Sequence, residues 1–358
     1  MNAEYFFIAP YLLILRHCGP TQNHDVPVLT TSTGWATLDY PIHSMKIAVD
    51  AMGGDFAPEA IVEGIARTVK AGLPDGVTLV LIGQESVINT LLTQFGVTSG
   101  GEVEVIHADE VIDMGEHPTR ALSQKPNSSI AVGFAQLKAG QIDAFCSAGN
   151  TGAMHVGALF SIKAIPGVIR PGIAGFVPQL NGGTAVMLDI GANADCKPEV
   201  LAQFGELGSI YARQTLGIES PRVALLNIGE EEQKGSVVAQ AAHQLLKENK
   251  RLNFVGNIEG KDLFMNRADV IVADGFTGNT LFKLGESFYE VTKQLGLHHP
   301  FIDRTNYESI GGSPIVGVNG NVIIAHGISS PTAIQNMISL AIRQVRASVP
   351  AHIEQALT

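Results

Sequence analysis

Basic residues, aromatic rings and cysteines are all scarce in this chain, and each shortage closes off a class of function. Lys and Arg number 23 against 34 Asp and Glu, a net charge of −11. Binding along a nucleic-acid backbone wants a basic face, so nucleic acid is not an expected partner. Aromatics make up 6% of residues while hydrophobic residues reach 45%, so the core is expected to be aliphatic. The three cysteines, Cys18, Cys146 and Cys196, have neither metal nor disulfide spacing, a set that suits a reducing cytosol. No G-x-G-x-x-G turn follows a strand-like run, and no G-x-S-x-G elbow is present. Gly256–Lys261 (GNIEGK) is one residue short of a phosphate-binding P-loop, with Asp262 where Ser or Thr belongs.

A long apolar run is missing too. Tyr5–Leu15 (YFFIAPYLLIL) would extend only about 16 Å as a helix, half the hydrocarbon core of a bilayer. Asn2, Ala3 and Glu4 give it no positive start, which a signal peptide needs. Gly19 to Ser44 is polar and turn-rich. Residues 1–44 therefore read as an N-terminal extension, without order of its own, and two explanations stand. Met45 is the working initiator behind an upstream start, or the extension is a targeting segment.

Glycine, by contrast, is abundant: 39 residues without a collagen-like period, which implies many turns between many elements. From Lys46 onward short apolar runs alternate with helical stretches. Strands are expected at 47–50, 77–83, 103–108, 143–149, 185–191, 222–229, 253–258 and 269–275. A helix is expected over 58–72, where Ile61, Ile65 and Val69 recur at helical spacing behind Pro58. This alternation predicts an α/β fold, a mostly parallel sheet with helices on both faces.

Two of the strand-to-helix turns repeat a motif: CSAGNTG at 146–152 and GFTGNT at 275–280. Such a turn of small residues presents backbone N–H groups at a helix N-terminus, where an anion can sit; it is equally the default chemistry of a tight turn. Five strand ends carry polar groups, beginning at Asp50, Ser147, Asp189, Asn227 and Asp274, and a parallel sheet would let all of them face one ligand-binding rim. The acidic stretch His107, Asp109, Glu110, Asp113, Glu116, His117 fits no zinc spacing and reads as a solvated segment, as does the pair His298-His299.

MKIAVDAMGGDFAPE, MGEHPTRALSQKPNSS, CSAGNTGA, LDIGANADCKPE, LLNIGEEEQKG, GNIEGKD and VADGFTGNTLFK occur in this order between Met45 and the C-terminal region. Together they resemble the phosphate acyltransferases of bacterial phospholipid synthesis (PlsX type). The resemblance implies a catalytic domain over 45–358 with a three-layer αβα fold like phosphate acetyltransferases and isocitrate-type dehydrogenases. It also implies a cytoplasmic homodimer without metal or cofactor, loosely associated with the membrane. The implied reaction moves a fatty acyl group from acyl carrier protein to inorganic phosphate, giving acyl phosphate for a downstream glycerol-3-phosphate acyltransferase. A coenzyme A-dependent phosphate acetyl- or butyryltransferase, or a non-catalytic carrier-protein scaffold, are the alternatives.

That chemistry needs groups that hold a dianion, stabilise an oxyanion and release a thiol. Gly149, Asn150, Thr151 and Gly152 in the first turn, and Gly278 and Asn279 in the second, are candidates for phosphate and carbonyl. Arg120, Lys125 and Lys197 are the basic residues within the family-like motifs, with Lys197 first because it follows the polar strand end Asp189–Asn193. Asp50 and Asp189 are candidates to place a proton or to stabilise their turns, and Asn193 to donate a hydrogen bond. Two features differ from the family pattern. Ser123-Gln124 stands where a further basic residue is common, and the stretch between the second turn and Tyr307 is short. Leu284, Phe288 and Val291 there form an apolar stripe suited to core, dimer or membrane contact.

Overall fold

A computed structural model describes residues 44–358; expectations for residues 1–43 fall outside the described residues. Among the described residues eleven strands form one sheet: β1 (Met45–Asp50), β2 (Val77–Gly83), β3 (Val103–His107), β4 (Ala144–Ser147), β5 (Gly172–Pro178), β6 (Thr184–Leu188), β7 (Arg222–Leu226), β8 (Asn253–Ile258), β9 (Val270–Val272), β10 (Ser313–Val316) and β11 (Asn321–Ile324). The helices are α1 (Glu59–Ala71), α2 (Glu85–Gln94), α3 (Pro118–Gln124), α4 (Ser129–Lys138), α5 (Thr151–Gly157), α6 (Pro198–Leu216), α7 (Val237–Glu248), α8 (Gly275–Gln294), α9 (Pro300–Asp303), α10 (Pro331–Arg346) and α11 (Val349–Leu357).

The apolar strands need cover on both faces, and they have it. Ala48, Val80, Ile82 and Phe145 point into a cluster with Ile130 and Phe134 of α4. The alternate residues Ile47, Leu79 and Leu81 are equally inaccessible and face the other layer, where α1 and α10 pack together. All seven residues of β5 are buried. At the far half α6 lies against β6 and β9. Its start has Pro198 at the first turn, and its end has Gly217 in the left-handed conformation (φ 68°).

All eight expected strands are present, and α1 occupies the segment foreseen for it. Three strands were not foreseen: β5, β10 and β11. They have a topological consequence, because they carry every antiparallel pairing of the sheet. The order is β3-β2-β1-β4-β11-β10-β5-β6-β9-β7-β8. β10 is antiparallel to both β11 and β5, and β5 is antiparallel to β6. The parallel group β1–β4 with β11 thus runs opposite to the parallel group β6–β9. The single rim expected for the five polar strand ends is replaced by two. Asp50 and Ser147 end strands of one group; Asp189, Asn227 and Asp274 follow strands of the other. A twist of roughly 20–25° per strand pair accumulates to on the order of 100° across the five steps from β4 to β9.

Candidate active site

The first rim is built on a buried carboxylate. Asp50, 1% exposed, accepts the Ser147 hydroxyl at 2.7 Å and the Met52 N–H at 3.0 Å. Burial raises its carboxyl above the ordinary range, against hydrogen bonds from the Ser129 and Ser147 hydroxyls and the Met52 and Gly53 N–H groups. The Gly149 N–H donates to the same Ser147 hydroxyl at 2.9 Å. Asn150 caps α5, its carbonyl oxygen accepting from Ala153 N–H at 2.9 Å. Its amide donates to the main-chain oxygens of Asp113, Met114 and Glu116 at 3.1, 3.2 and 2.9 Å. Asn150 thereby ties the acidic segment 113–116 to the turn. Thr151 is exposed at the start of α5, and Gly152 lies against Pro118, leaving no room for a side chain.

The two basic candidates near this rim differ. Arg120 is exposed on α3. Lys125 bonds to Glu116 at 2.5 Å and to the Val111 carbonyl at 2.7 Å; the Glu116 carboxylate raises its pKa, and Lys125 lowers that of Glu116. The acidic stretch thus has internal partners: His107 also pairs with Asp109 at 2.6 Å, both of them exposed.

The second rim depends on Asp189, which is fully buried. One oxygen accepts the N–H groups of Ile173, Gly191 and Ala192, each at 3.0 Å. The other accepts Asn193 N–H at 2.7 Å and the Asn193 amide at 3.0 Å. The Asn193 amide also donates to Pro171 O at 2.9 Å, and its carbonyl receives Gly275 N–H at 2.7 Å. Asn279 donates to Ile190 O at 2.8 Å. A side chain on Gly278 would lie 1.9 Å from the Asp189 carbonyl, so only glycine allows α8 to start this close. Carboxylate, asparagines and glycine together form a frame that fixes where α8 begins.

Beside this frame opens a cleft of about 910 Å³ at the carboxyl ends of β7, β8 and β9. Ala194–Cys196 enter from the loop after β6, and Asp274 and Thr277 from the start of α8. Asn227 and Ser236 line it from β7 and the start of α7, and Lys261 from the end of β8. Asp274 caps α8, accepting Thr277 N–H and hydroxyl, both at 2.8 Å. Ser236 caps α7 through Ala239 N–H at 3.1 Å. Two helix N-termini thus face one cleft, and their aligned dipoles favour an anion there. Lys197, the residue after Cys196, is exposed at the cap position of α6. Lys261, unremarked in the sequence beyond its near-miss P-loop, pairs with Glu259 at 2.9 Å, which raises its pKa.

One residue links the two rims, and another reaches the cleft from beside the second. His155, on the helix after the first Gly-Asn-Thr turn, has its pKa lowered by burial, with the Asp189 carboxylate acting in the opposite sense. Its Nδ1 is buried without a hydrogen-bond partner. Arg170, in the loop before β5, reaches the Asp195 carbonyl at 3.5 Å.

A three-layer α/β protein with an anion-suited cleft at helix N-termini has counterparts among solved structures. A phosphotransacetylase from Streptococcus pyogenes superposes with a TM-score of 0.61 at 20% identity, covering 84% of this chain and 94% of the other. A branched-chain phosphotransacylase from Enterococcus faecalis gives 0.57 at 16%, covering 84% and 99%. The fold is that of the phosphotransacylases. Sequence similarity goes further. The family described as "Fatty acid synthesis protein" matches residues 45–299. A phosphate acyltransferase of Salinibacter ruber is 42% identical over 330 residues, 87% of this chain and 97% of its own length. One from Pelotomaculum thermopropionicum is 44% identical over 316 residues, 83% and 90%. The chain belongs to the phosphate acyltransferase family.

Asp189 supplies one test of this geometry. Asp189→Ala strips the acceptor from a set of buried N–H donors and should cost about 3 kcal/mol or more, read as a lower urea midpoint. An unchanged midpoint with lost turnover would return Asp189 to the chemistry. Cys196 supplies a second. Burial is the main cause that pushes its thiol up to about 11, with Asp189 and Asp274 adding and Arg170 opposing. The thiol is therefore neutral at physiological pH. Alkylation of the Cys196 peptide, followed by mass spectrometry, should rise with pH toward a midpoint near 11. A midpoint below the ordinary thiol value would mean an electropositive site instead.

Proposed function

We propose that the chain transfers a fatty acyl group from acyl carrier protein to inorganic phosphate, supplying acyl phosphate to a glycerol-3-phosphate acyltransferase. The observation that carries the reading is the cleft in which the N-termini of α7 and α8 meet beside an apolar wall, in a chain over 40% identical to phosphate acyltransferases. Phosphate lies at the helix N-termini with its oxygen facing the thioester carbonyl. A phosphate oxygen forms the new C–O bond, and the carbonyl oxygen carries the charge of the tetrahedral intermediate. The C–S bond then breaks, and the phosphate's proton passes to the leaving sulfur. Backbone N–H groups and a nearby cation stabilise the oxyanion more than the ground state. Lys197 is the cation we assign. Asp189, Asn193, Gly278 and Asn279 position α8, while Asp50, Gly149, Asn150 and Gly152 shape the turn that leads to His155.

The phosphotransacylase fold favours one alternative, transfer from coenzyme A. The two separate in a loading assay: acyl phosphate should form from acyl carrier protein, and preferential turnover of acyl-coenzyme A would overturn the carrier-protein reading. Lys197→Ala should lower acyl-phosphate formation on the order of a hundredfold, equivalent to about 2–4 kcal/mol, at an unchanged melting temperature because the side chain is exposed. Wild-type turnover removes Lys197 from the mechanism.

Acyl carrier protein is acidic and this chain carries −11, so docking needs a local basic patch. Lys163 and Arg170 supply one, flanked by Phe160 (73% exposed) and Ile169 (55% exposed) and adjoining the cleft through Asp195. Reversing both charges should slow association and flatten its salt dependence; unchanged salt dependence would move the patch elsewhere. A homodimer and peripheral membrane contact belong to the same reading. The stripe Leu284, Phe288 and Val291 on α8 is open to solvent, which suits either. Among the described residues no helix is long and apolar enough to cross a membrane.

A further inference from the structure

The cleft holds more apolar surface than phosphate can use. Leu225, Leu226, Ile228, Val238, Phe276 and Leu281 line it together with the polar groups of the helix N-termini. Ile228 and Phe276 are 82% and 70% exposed, and Val238 is 37% exposed. A single exposed apolar side chain is ordinary, but several converging on one concave site mark a binding surface.

The arrangement is prebuilt. Asn227 accepts Ile228 N–H at 2.8 Å and donates to Lys234 O at 3.1 Å, closing the loop that leads from β7 to α7. Gly235 holds a positive φ of 88°, and a side chain there would lie 2.3 Å from the Asn227 amide oxygen. Asn257 donates to Glu231 O at 2.9 Å, tying the same loop to β8. Ile228 is thus held out at the cleft by hydrogen bonds to its neighbours and not by packing of its own.

Polar groups line the cleft from every strand end, including Asn227 and Ser236 on the β7 and α7 side, while Phe276 adds an apolar face at the start of α8. The aliphatic residues Leu226, Ile228 and Val238 cluster on β7 and α7, across the cleft from Asp195, Cys196, Asp274 and Thr277 on the β6 and β9 side. With β9 between β6 and β7 and β8 beyond them, the three strand spacings from β6 to β8 span roughly 14 Å. An amphiphile fits this layout: a reacting head at the helix N-termini and a hydrocarbon tail laid across the ends of β7 and β8.

We infer that the apolar wall formed by Leu226, Ile228, Val238 and Phe276 is the subsite for the fatty acyl chain and sets chain-length preference. The inference rests on the acyl-transfer reading above for its ligand. The thioester carbonyl lies at the start of α8, and the alkyl tail runs toward α7, where it removes the exposed side chains from water. Volume added at Val238 shortens the groove, and polar groups at Ile228 or Phe276 weaken it for long tails most.

The test uses the full chain and two readouts. Turnover is compared for octanoyl- and palmitoyl-loaded acyl carrier protein, and palmitate binding is measured by calorimetry at several temperatures. Val238→Trp and the pair Ile228→Ser/Phe276→Ser should each lower the palmitoyl-to-octanoyl turnover ratio about tenfold or more, the discrimination expected of methylenes in an apolar pocket. Both should weaken palmitate binding and reduce its negative heat-capacity change. Ile228 and Phe276 are largely exposed, so the serine pair keeps the test free of folding loss. Equal loss for both chain lengths would assign the wall to the carrier arm and overturn the inference, as would unaltered palmitate affinity. If wild-type protein transfers no acyl group to phosphate but the variants lose palmitate affinity, the reaction reading falls and the subsite stands.

Discussion

One buried carboxylate organises the second half of this molecule. Asp189 follows the last residue of β6 and gathers N–H groups from the start of β5, from Gly191 and Ala192, and from Asn193. A charge taken out of water is tolerated only where donors replace its solvation. Once they do, the chain around it has one conformation. Asn193 then receives Gly275 N–H, and Asn279 reaches back to Ile190 O. Through these links a single carboxylate fixes the antiparallel β5–β6 pair, the loop that enters the cleft, and the origin of the α8 dipole. Precise placement of that N-terminus is what anion binding requires, because the favourable field falls off within the first turn.

The fold was legible wherever the chain buries strands on both faces. Runs such as VTLVLIG and RVALLNIG, ended by glycine, have little alternative to a parallel strand with a helical return. β5 was hidden because Pro171 and Pro178 bracket it and glycine interrupts it at 172 and 175. Those residues depress strand propensity, and pairing with β6 and β10 overrides them. β10 and β11 have four residues each, too few to show a period, and Pro314 argues locally against a strand. The reversal of direction resides in these three strands, so a sequence in which they are silent implies one rim where there are two.

Site residues were legible as positions and much less as roles. Asp50, Asp189, Asn150 and Asn193 stand out in sequence as polar groups at strand ends. Their partners lie far along the chain: Asn150 bonds to carbonyls 34 to 37 residues earlier, and Asp189 to Ile173. No local pattern encodes such pairings, so a side chain that holds a loop cannot be told in sequence from one that faces a ligand. Lys261 carries a signal, a lysine at a strand-to-helix junction, which the near-miss P-loop spacing around it obscures. The apolar wall gave no signal at all, because Ile228, Val238 and Phe276 come from three separate segments.

The electrostatics of the cleft follow from how its carboxylates are occupied. Asp195, Glu259 and Asp274 all line it, and as free charges they would repel a phosphate dianion. Asp274 is engaged by Thr277 N–H and hydroxyl. Glu259 is held by Lys261 and by a reciprocal cap with Asp262. The charges of Asp274 and Glu259 are met by local donors, and caps at α8 and α7 leave the positive ends of both dipoles directed at the same space. Bulk charge and local field therefore have opposite signs in this protein. A net charge of −11 discourages non-specific anion binding over most of the surface, so attraction for phosphate is confined to the place where helix N-termini and an apolar wall meet. That confinement matches a reaction that must bring a small, strongly hydrated dianion against a water-insoluble acyl chain.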